Sequence, residues 1–271
     1  MGGMGILEAF GKTVLGAVST GFGVVLAFVL VAPHAASLRS ASPGFFSLAL
    51  GFTMQLGSQV IMYCGGASFV TLSFTLTSGL FSVRHVGWVF RAILVLAIAI
   101  LGHLVGGLLI ARLAVESNLL PTAAADFARQ VAVSKVEMLP SVLLARAILC
   151  NLALGSLAFV NLTSGFHKGA LAGLTLLVAT LARTLGLDSY ITCSVLVPLG
   201  WLYGAVLPVE GMLQVFLVSA LGNVIGGFLM STLLWLASGP PSISSPTETA
   251  PKDVAPPETV TGTSKDEKKK Q

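Results

Sequence analysis

GALAGLTLLVATLARTLGLDSYITCSVLVPLGWLYGAVLP, residues 169–208, is an almost uniformly apolar stretch whose reading decides the fold. As one straight helix at ~1.5 Å per residue its roughly forty residues would run ~60 Å, twice the ~30 Å hydrocarbon thickness of a bilayer. The segment must therefore break. Its only Asp, Glu, Lys or Arg residues are Arg183 and Asp188, on either side of Gly186. A charge at the centre of a membrane helix costs at least ~2.5–3.5 kcal/mol on insertion scales, so two charges beside a helix-breaking glycine read first as a functional site. The competing reading is an Arg183/Asp188 pair that neutralises itself and locks helix packing.

The whole chain has the same character. Of 271 residues, 55% are hydrophobic and only 10% charged, with a mean hydropathy of +0.91, against the ~25% charged residues of an ordinary soluble domain. This is the composition of an integral membrane protein. Cys64, Cys150 and Cys193 all fall in apolar stretches without disulfide or CxxC spacing and read as packing residues. The N-terminus shows no basic, short-apolar, small-residue sequence of a cleaved signal peptide, and Ile6 stands where a myristoylation motif needs Ser or Thr.

Apolar runs fall at 13–37, 43–82, 86–115, 139–164, 169–208 and 211–238. Their lengths go normal, double, normal, and then repeat. LGHLVGG at 101–107 recurs as LGNVIGG at 221–227, an offset of 120 that also carries Gly66 onto Gly186. Three crossings per half invert the second half relative to the first, and matched Gly-interrupted segments in such inverted repeats point to a binding site near the bilayer midplane. The expected architecture is an all-α membrane protein with six transmembrane segments in two inverted three-helix repeats. The second segment breaks at Gly65 and Gly66, the fifth at Gly186. The glycine pairs at 106–107 and 226–227 read instead as small residues for tight helix packing.

Residues 1–12 read as a cytoplasmic N-terminal segment, 13–238 as the transmembrane domain, and the Pro/Ser/Thr/Glu/Lys-rich 239–271 as a disordered cytoplasmic tail. Its final lysines suit either contact with anionic lipid or plain solubilisation. Without the tail, the lysines and arginines of the connecting segments divide four against four, so tail charge is what places the termini in the cytoplasm. The loop at 116–138 is long enough for a short amphipathic cap on the outer face. The sequon at Asn161 falls on the cytoplasmic side and is expected to stay unused.

A broken membrane helix brings unpaired backbone N–H groups and positive partial charge to its midplane ends, near Ser68–Thr71 and Ser189–Thr192, and such ends favour anions. Arg183 adds a full charge beside them. The histidines at 34, 85, 103 and 167 lack metal-ligand spacing, and P-loop, GxSxG, NPA boxes and clustered intramembrane carboxylates are absent. No enzyme, cofactor, metal or nucleic-acid partner is expected.

Several spaced motifs resemble the formate/nitrite transporter family, pentameric channels with an aquaporin-like protomer. RAILCNLALGSLAF (146–159) resembles the fourth-helix motif RGILCNWLVCLAVW, and GLDSYITCSVLVPLG (186–200) aligns without gaps to GFEHxxxNxxxxPxG of the broken fifth helix. ALGNVIGG resembles the sixth-helix signature, and CGGASFVT (64–71) more loosely the second-helix CGADLFTS. The resemblance implies passage of small monovalent anions or their conjugate acids, such as formate, nitrite, lactate or hydrosulfide, through a homopentamer in the cell membrane. It also implies, by position, that Lys135 and Asn151 line the outer vestibule and path, that Asn223 is the sixth-helix asparagine, that His103 stands at the third-helix asparagine and Asp188 at the family glutamate.

This chain departs from the pattern at the centre. Ser189 replaces the family's central histidine, Cys193 the asparagine four residues later, Val70 the second-helix threonine and Ala67 the aspartate before it. A serine cannot protonate a substrate. Arg183, where the family has an apolar residue, supplies permanent positive charge instead. The predicted path is Arg183, Asp188, Ser189, Ser68, Phe69, Val70, Thr71, Lys135, Asn151, His103 and Asn223. A paralogue that has lost transport, or passes neutral solutes, is the alternative.

Overall fold

The two longest apolar runs do break, each at a glycine in the left-handed region. The structure is a computed structural model that describes residues 5–82, 86–163 and 167–238. Gly65 has φ +73° and Gly186 φ +72°, a conformation that costs an L-residue with a Cβ ~1–2 kcal/mol. The second run becomes α3 (Pro43–Cys64) and α4 (Phe69–Ser82), and the fifth becomes α8 (Lys168–Thr184) and α9 (Tyr190–Leu202). Space is free beside both glycines, so the requirement is conformational and not steric. Gly186→Ala is expected to lower the thermal unfolding midpoint in detergent by the equivalent of ~1–2 kcal/mol, whereas Ala at the exposed, helical Gly173 should not.

The remaining elements follow the apolar runs. α1 (Ile6–Leu30) is followed by a 3₁₀ turn (Ala32–His34) holding Pro33, and then by the short α2 (Ala35–Ala41). Proline has no N–H to continue the ladder, which ends the first helix earlier than its apolar run at 13–37. α5 (Val86–Glu116), α7 (Pro140–Thr163) and α10 (Val209–Ser238) are single helices. Five stretches among the described residues are long and apolar enough to cross a membrane, from α1, α3, α5, α7 and α10. α8 and α9 are each shorter, and at ~25 Å and ~20 Å they complete one crossing only end to end.

Each repeat pairs its first and third helices, α1 with α5 and α7 with α10, and the glycine pairs explain how. A Cβ on Gly106 would strike Val14 of α1, and one on Gly226 would strike Ile148 of α7. The neighbouring glycines reach across to the other repeat. A Cβ on Gly107 would fall on the Ser194 carbonyl of α9, and one on Gly227 on the backbone at Ser73 and Phe74 of α4. The Ser194 carbonyl is the one that Pro198, inside α9, has no N–H to satisfy. Thus the third helix of each half holds the broken helix of the other.

The repeat slips by one residue at the breaks. Gly65 and Gly186 share the left-handed conformation, and Phe69 and Tyr190 each begin the half-helix after a break. Both pairs are 121 apart, not the 120 that relates His103 to Asn223. Gly186 therefore corresponds to Gly65 and not, as the offset of 120 implies, to Gly66, which keeps an ordinary φ.

The loop at 116–138 forms α6 (Thr122–Val136), whose Ala124, Phe127, Ala128 and Ala132 are buried. It packs on α9, where Ala128 and Ala132 meet Gly200, and the Phe127 ring meets Phe28 edge-on at 5.2 Å. The small alanine face lets α6 approach closely, and this carries Lys135 to the second break. The tail at 239–271 lies outside the described residues, as does the side chain of Asn161.

Candidate functional site

The first turn of α4, the end of α8 and the first turn of α9 meet around a cavity of about 400 Å³. Its lining includes Ser68, Val70 and Thr71 from the first break and Arg183, Ser189 and Thr192 from the second. α1 and α3 contribute Thr20 and Gln55, both buried. Five of the predicted path residues, Ser68, Val70, Thr71, Arg183 and Ser189, thus come together. Arg183 is the single charged side chain among the described residues that line the cavity.

Local chemistry places that arginine. It closes α8, where a cation meets the negative end of the helix, and the turn through Gly186 folds the chain back over it. Nη1 donates to the Leu187 carbonyl at 3.0 Å, and Nη2 donates to Ser189 Oγ and Thr192 Oγ1. The two hydroxyls also lie 2.9 Å apart. Ser189 is the N-cap of α9 but caps nothing with its side chain; its oxygen is taken by the guanidinium. Of the five N–H donors of an arginine, three are engaged by neutral oxygens, and two remain for a ligand. The Thr20 hydroxyl, 3% exposed on the cavity wall, has no partner among the described residues.

Asp188 belongs to a different neighbourhood. Its Oδ1 accepts from Lys135 Nζ, with side chains 3% and 13% exposed respectively. The break does not bring Arg183 and Asp188 together, so a mutual Arg183/Asp188 lock is not what the chain builds. Asp188 Oδ2 is buried with no partner among the described residues.

The other predicted residues form buried supports and do not line the cavity. Asn151 Nδ2 donates to Ser73 Oγ at 2.7 Å and to the Asn223 carbonyl. Asn223 Oδ1 accepts from the Tyr190 amide at 2.8 Å, and its Nδ2 donates to the Ala147 carbonyl at 2.9 Å. One asparagine thus satisfies an orphan donor at the start of α9 and ties it to α7. His103 stands at the equivalent place in the first half, with Nε2 3.1 Å from the Ala67 carbonyl and Nδ1 2.6 Å from the Ala99 carbonyl. Phe69 packs on the Tyr190 ring at 5.0 Å and on the His103 ring at 6.1 Å, joining the two half-helix starts through an aromatic contact.

A family model for formate/nitrite transporters matches residues 3–237 of this chain. The chain belongs to the formate/nitrite transporter family. Its fold agrees with solved structures of similar proteins. An FNT family ion channel is 20% identical with a TM-score of 0.71, covering 86% of this chain and 90% of the other. A pentameric formate channel with formate bound is 14% identical with a TM-score of 0.72, covering 86% and 96%. No curated protein matches at the level of sequence. Membership makes this an integral membrane transport protein.

Thr20 and Gln55 were not legible as site residues, and Tyr190 and Thr192 were legible only as part of the half-helix end at Ser189–Thr192. Thr192 carried a signal, since a residue three after an N-cap shares its first turn. Tyr190 follows the break directly and its burial rests on α5 and α10. Thr20 and Gln55 carried none, because only helix packing turns them toward the cavity.

Proposed function

We propose that this protein passes small monovalent anions or their conjugate weak acids, of the formate, nitrite and lactate class, with Arg183 as the fixed positive charge of the path. The observation that carries this reading is that Arg183 is the single charged side chain among the described cavity-lining residues, with donors to spare and no carboxylate paired to it. A charge of this kind attracts anions without giving up a proton. Ser68, Val70 and Thr71 bring the α4 N-terminus and its partial positive charge to the same cavity. Lys135 and Asp188 hold the break on the side of α6, and Asn151, Asn223, His103 and Phe69 position the half-helices. This is transport and not catalysis.

The similar structure that is a pentameric formate channel supports assembly of this chain as a homopentamer. The tail lysines support cytoplasmic termini, and a small-anion transporter of this kind fits the cell membrane.

A non-transporting role has one observation in its favour: the three hydrogen bonds of Arg183 clamp α8 to α9, as a purely structural residue would. Formate, nitrite and lactate flux in proteoliposomes separates the two. Flux is expected, and where the anion itself passes it should stay flat between about pH 6 and pH 8, because carboxylic acids of this class are ionised throughout that range. A flux that climbs steeply as pH falls would show that the conjugate acid is the species that passes, and no flux for any of the three would favour the structural role.

A further inference from the structure

The second break reaches the outer surface of the protomer, and it does so beside an arginine with no partner among the described residues. Leu185 is 73% exposed and Gly186 is partly exposed. A Cβ at Gly186 would have one neighbour, Arg146 Nη1, at 3.9 Å. Arg146 stands on α7, half-buried, in a stripe whose other members, Leu139, Val142 and Leu149, are exposed. It has no hydrogen-bond or ion-pair partner among the described residues. Alongside, α8 exposes Leu177 and Leu181 as well. The result is a broad apolar face with that cation and non-helical backbone at its centre.

Lipid does not cover such a face. Non-helical backbone at membrane depth is tolerated only against protein or a watery cavity, and an arginine six residues into α7, roughly 9 Å from its start, with no partner among the described residues is disfavoured in hydrocarbon. A long side chain escapes this cost by reaching for the headgroups. Here the guanidinium is turned to the Gly186 break instead. Water does not fit either, because the leucines around it are apolar.

We infer that a second copy of this chain covers this face, and that Arg146 donates to acceptor oxygens of that neighbour beside the Gly186 break. The inference rests on the homopentamer reading and adds to it which surface meets the neighbour. In a ring every protomer presents the same face to the next copy, so each broken fifth helix is completed by its neighbour. None of the five N–H donors of Arg146 is taken by a described residue. The break that positions Arg183 in the cavity is then held from outside by the adjacent copy.

Spin labelling of Leu185→Cys tests this in the full chain, reconstituted in nanodiscs, with Cys64→Ala removing the exposed cysteine. The probes are molecular oxygen, which partitions into lipid, and a water-soluble nickel chelate. The label is expected to be shielded from both. In Arg146→Leu it should become open to oxygen, and native mass spectrometry should show loss of the assembled species; Arg146→Gln, which keeps donors, should lose less. A label open to oxygen in assembled protein carrying Arg146 overturns the inference while leaving the pentamer intact. Unchanged stoichiometry and shielding in Arg146→Leu also overturns it. A single copy by mass spectrometry before any change at Arg146 overturns the pentamer itself.

Discussion

Replacing Arg183 with alanine is expected to lower anion flux in proteoliposomes by about tenfold or more. A hydrogen bond to a charged group contributes ~1.5–3 kcal/mol, and ~1.4 kcal/mol is a factor of ten, so losing one such contact to the permeating anion suffices. The substitution also removes three bonds that clamp α8 to α9, and a control must separate the two effects. Arg183→Lys keeps the charge but loses the planar fork. If the charge is what matters, the lysine variant should recover much of the flux even though it makes fewer bonds across the break. If the clamp is what matters, lysine and alanine variants should lose flux and thermal stability together. Undiminished flux in well-folded Arg183→Ala protein would remove Arg183 from the path.

The second large effect concerns stability. Lys135→Ala leaves Asp188, 3% exposed, without its ion-pair partner, and an uncompensated buried charge costs ~3–5 kcal/mol. Asp188→Asn in the same chain should return a good part of that loss, because two neutral groups at this site do not need each other. The comparison is of thermal unfolding midpoints in detergent for the two single variants and the double variant. Additive losses would show that Lys135 and Asp188 act separately. Lys135 has a further consequence: α6 is held to α9 by its alanine face, so the single variant should loosen the break without detaching the helix.

The two breaks illustrate how local signals and packing divide the work. Gly186 and the pair Gly65 and Gly66 were legible because an apolar run of forty residues does not fit a bilayer as one helix. Which glycine of the pair turns left-handed was not legible, since the chain after the break is seated against α1, where Gly66 lies beside Gly16 and the Ala67 amide donates to the Lys12 carbonyl. The same holds for His103 and Asn223. Their equivalence was visible as a repeated heptapeptide, but their task, bonding the carbonyls and amides left open at the breaks, appears only once α5 and α10 lie across them. Arg146 was visible as part of a motif, and its lack of a partner among the described residues was not.

By itself the sequence determined the membrane class, the two three-segment repeats and the places where two helices stop. These follow from quantities each segment carries alone: apolar length against bilayer thickness, and the cost of a left-handed residue with a Cβ. Tertiary structure decided which charge meets which. Asp188 is five residues from Arg183 in the chain but pairs with Lys135, fifty-three residues away. The left-handed turn at Gly186 sends the two side chains apart, and α6 packs where its lysine reaches the carboxylate. Arg183 is thereby left to neutral hydroxyls and an open cavity, because a partner is chosen by the direction a side chain takes in space and not by its distance along the chain.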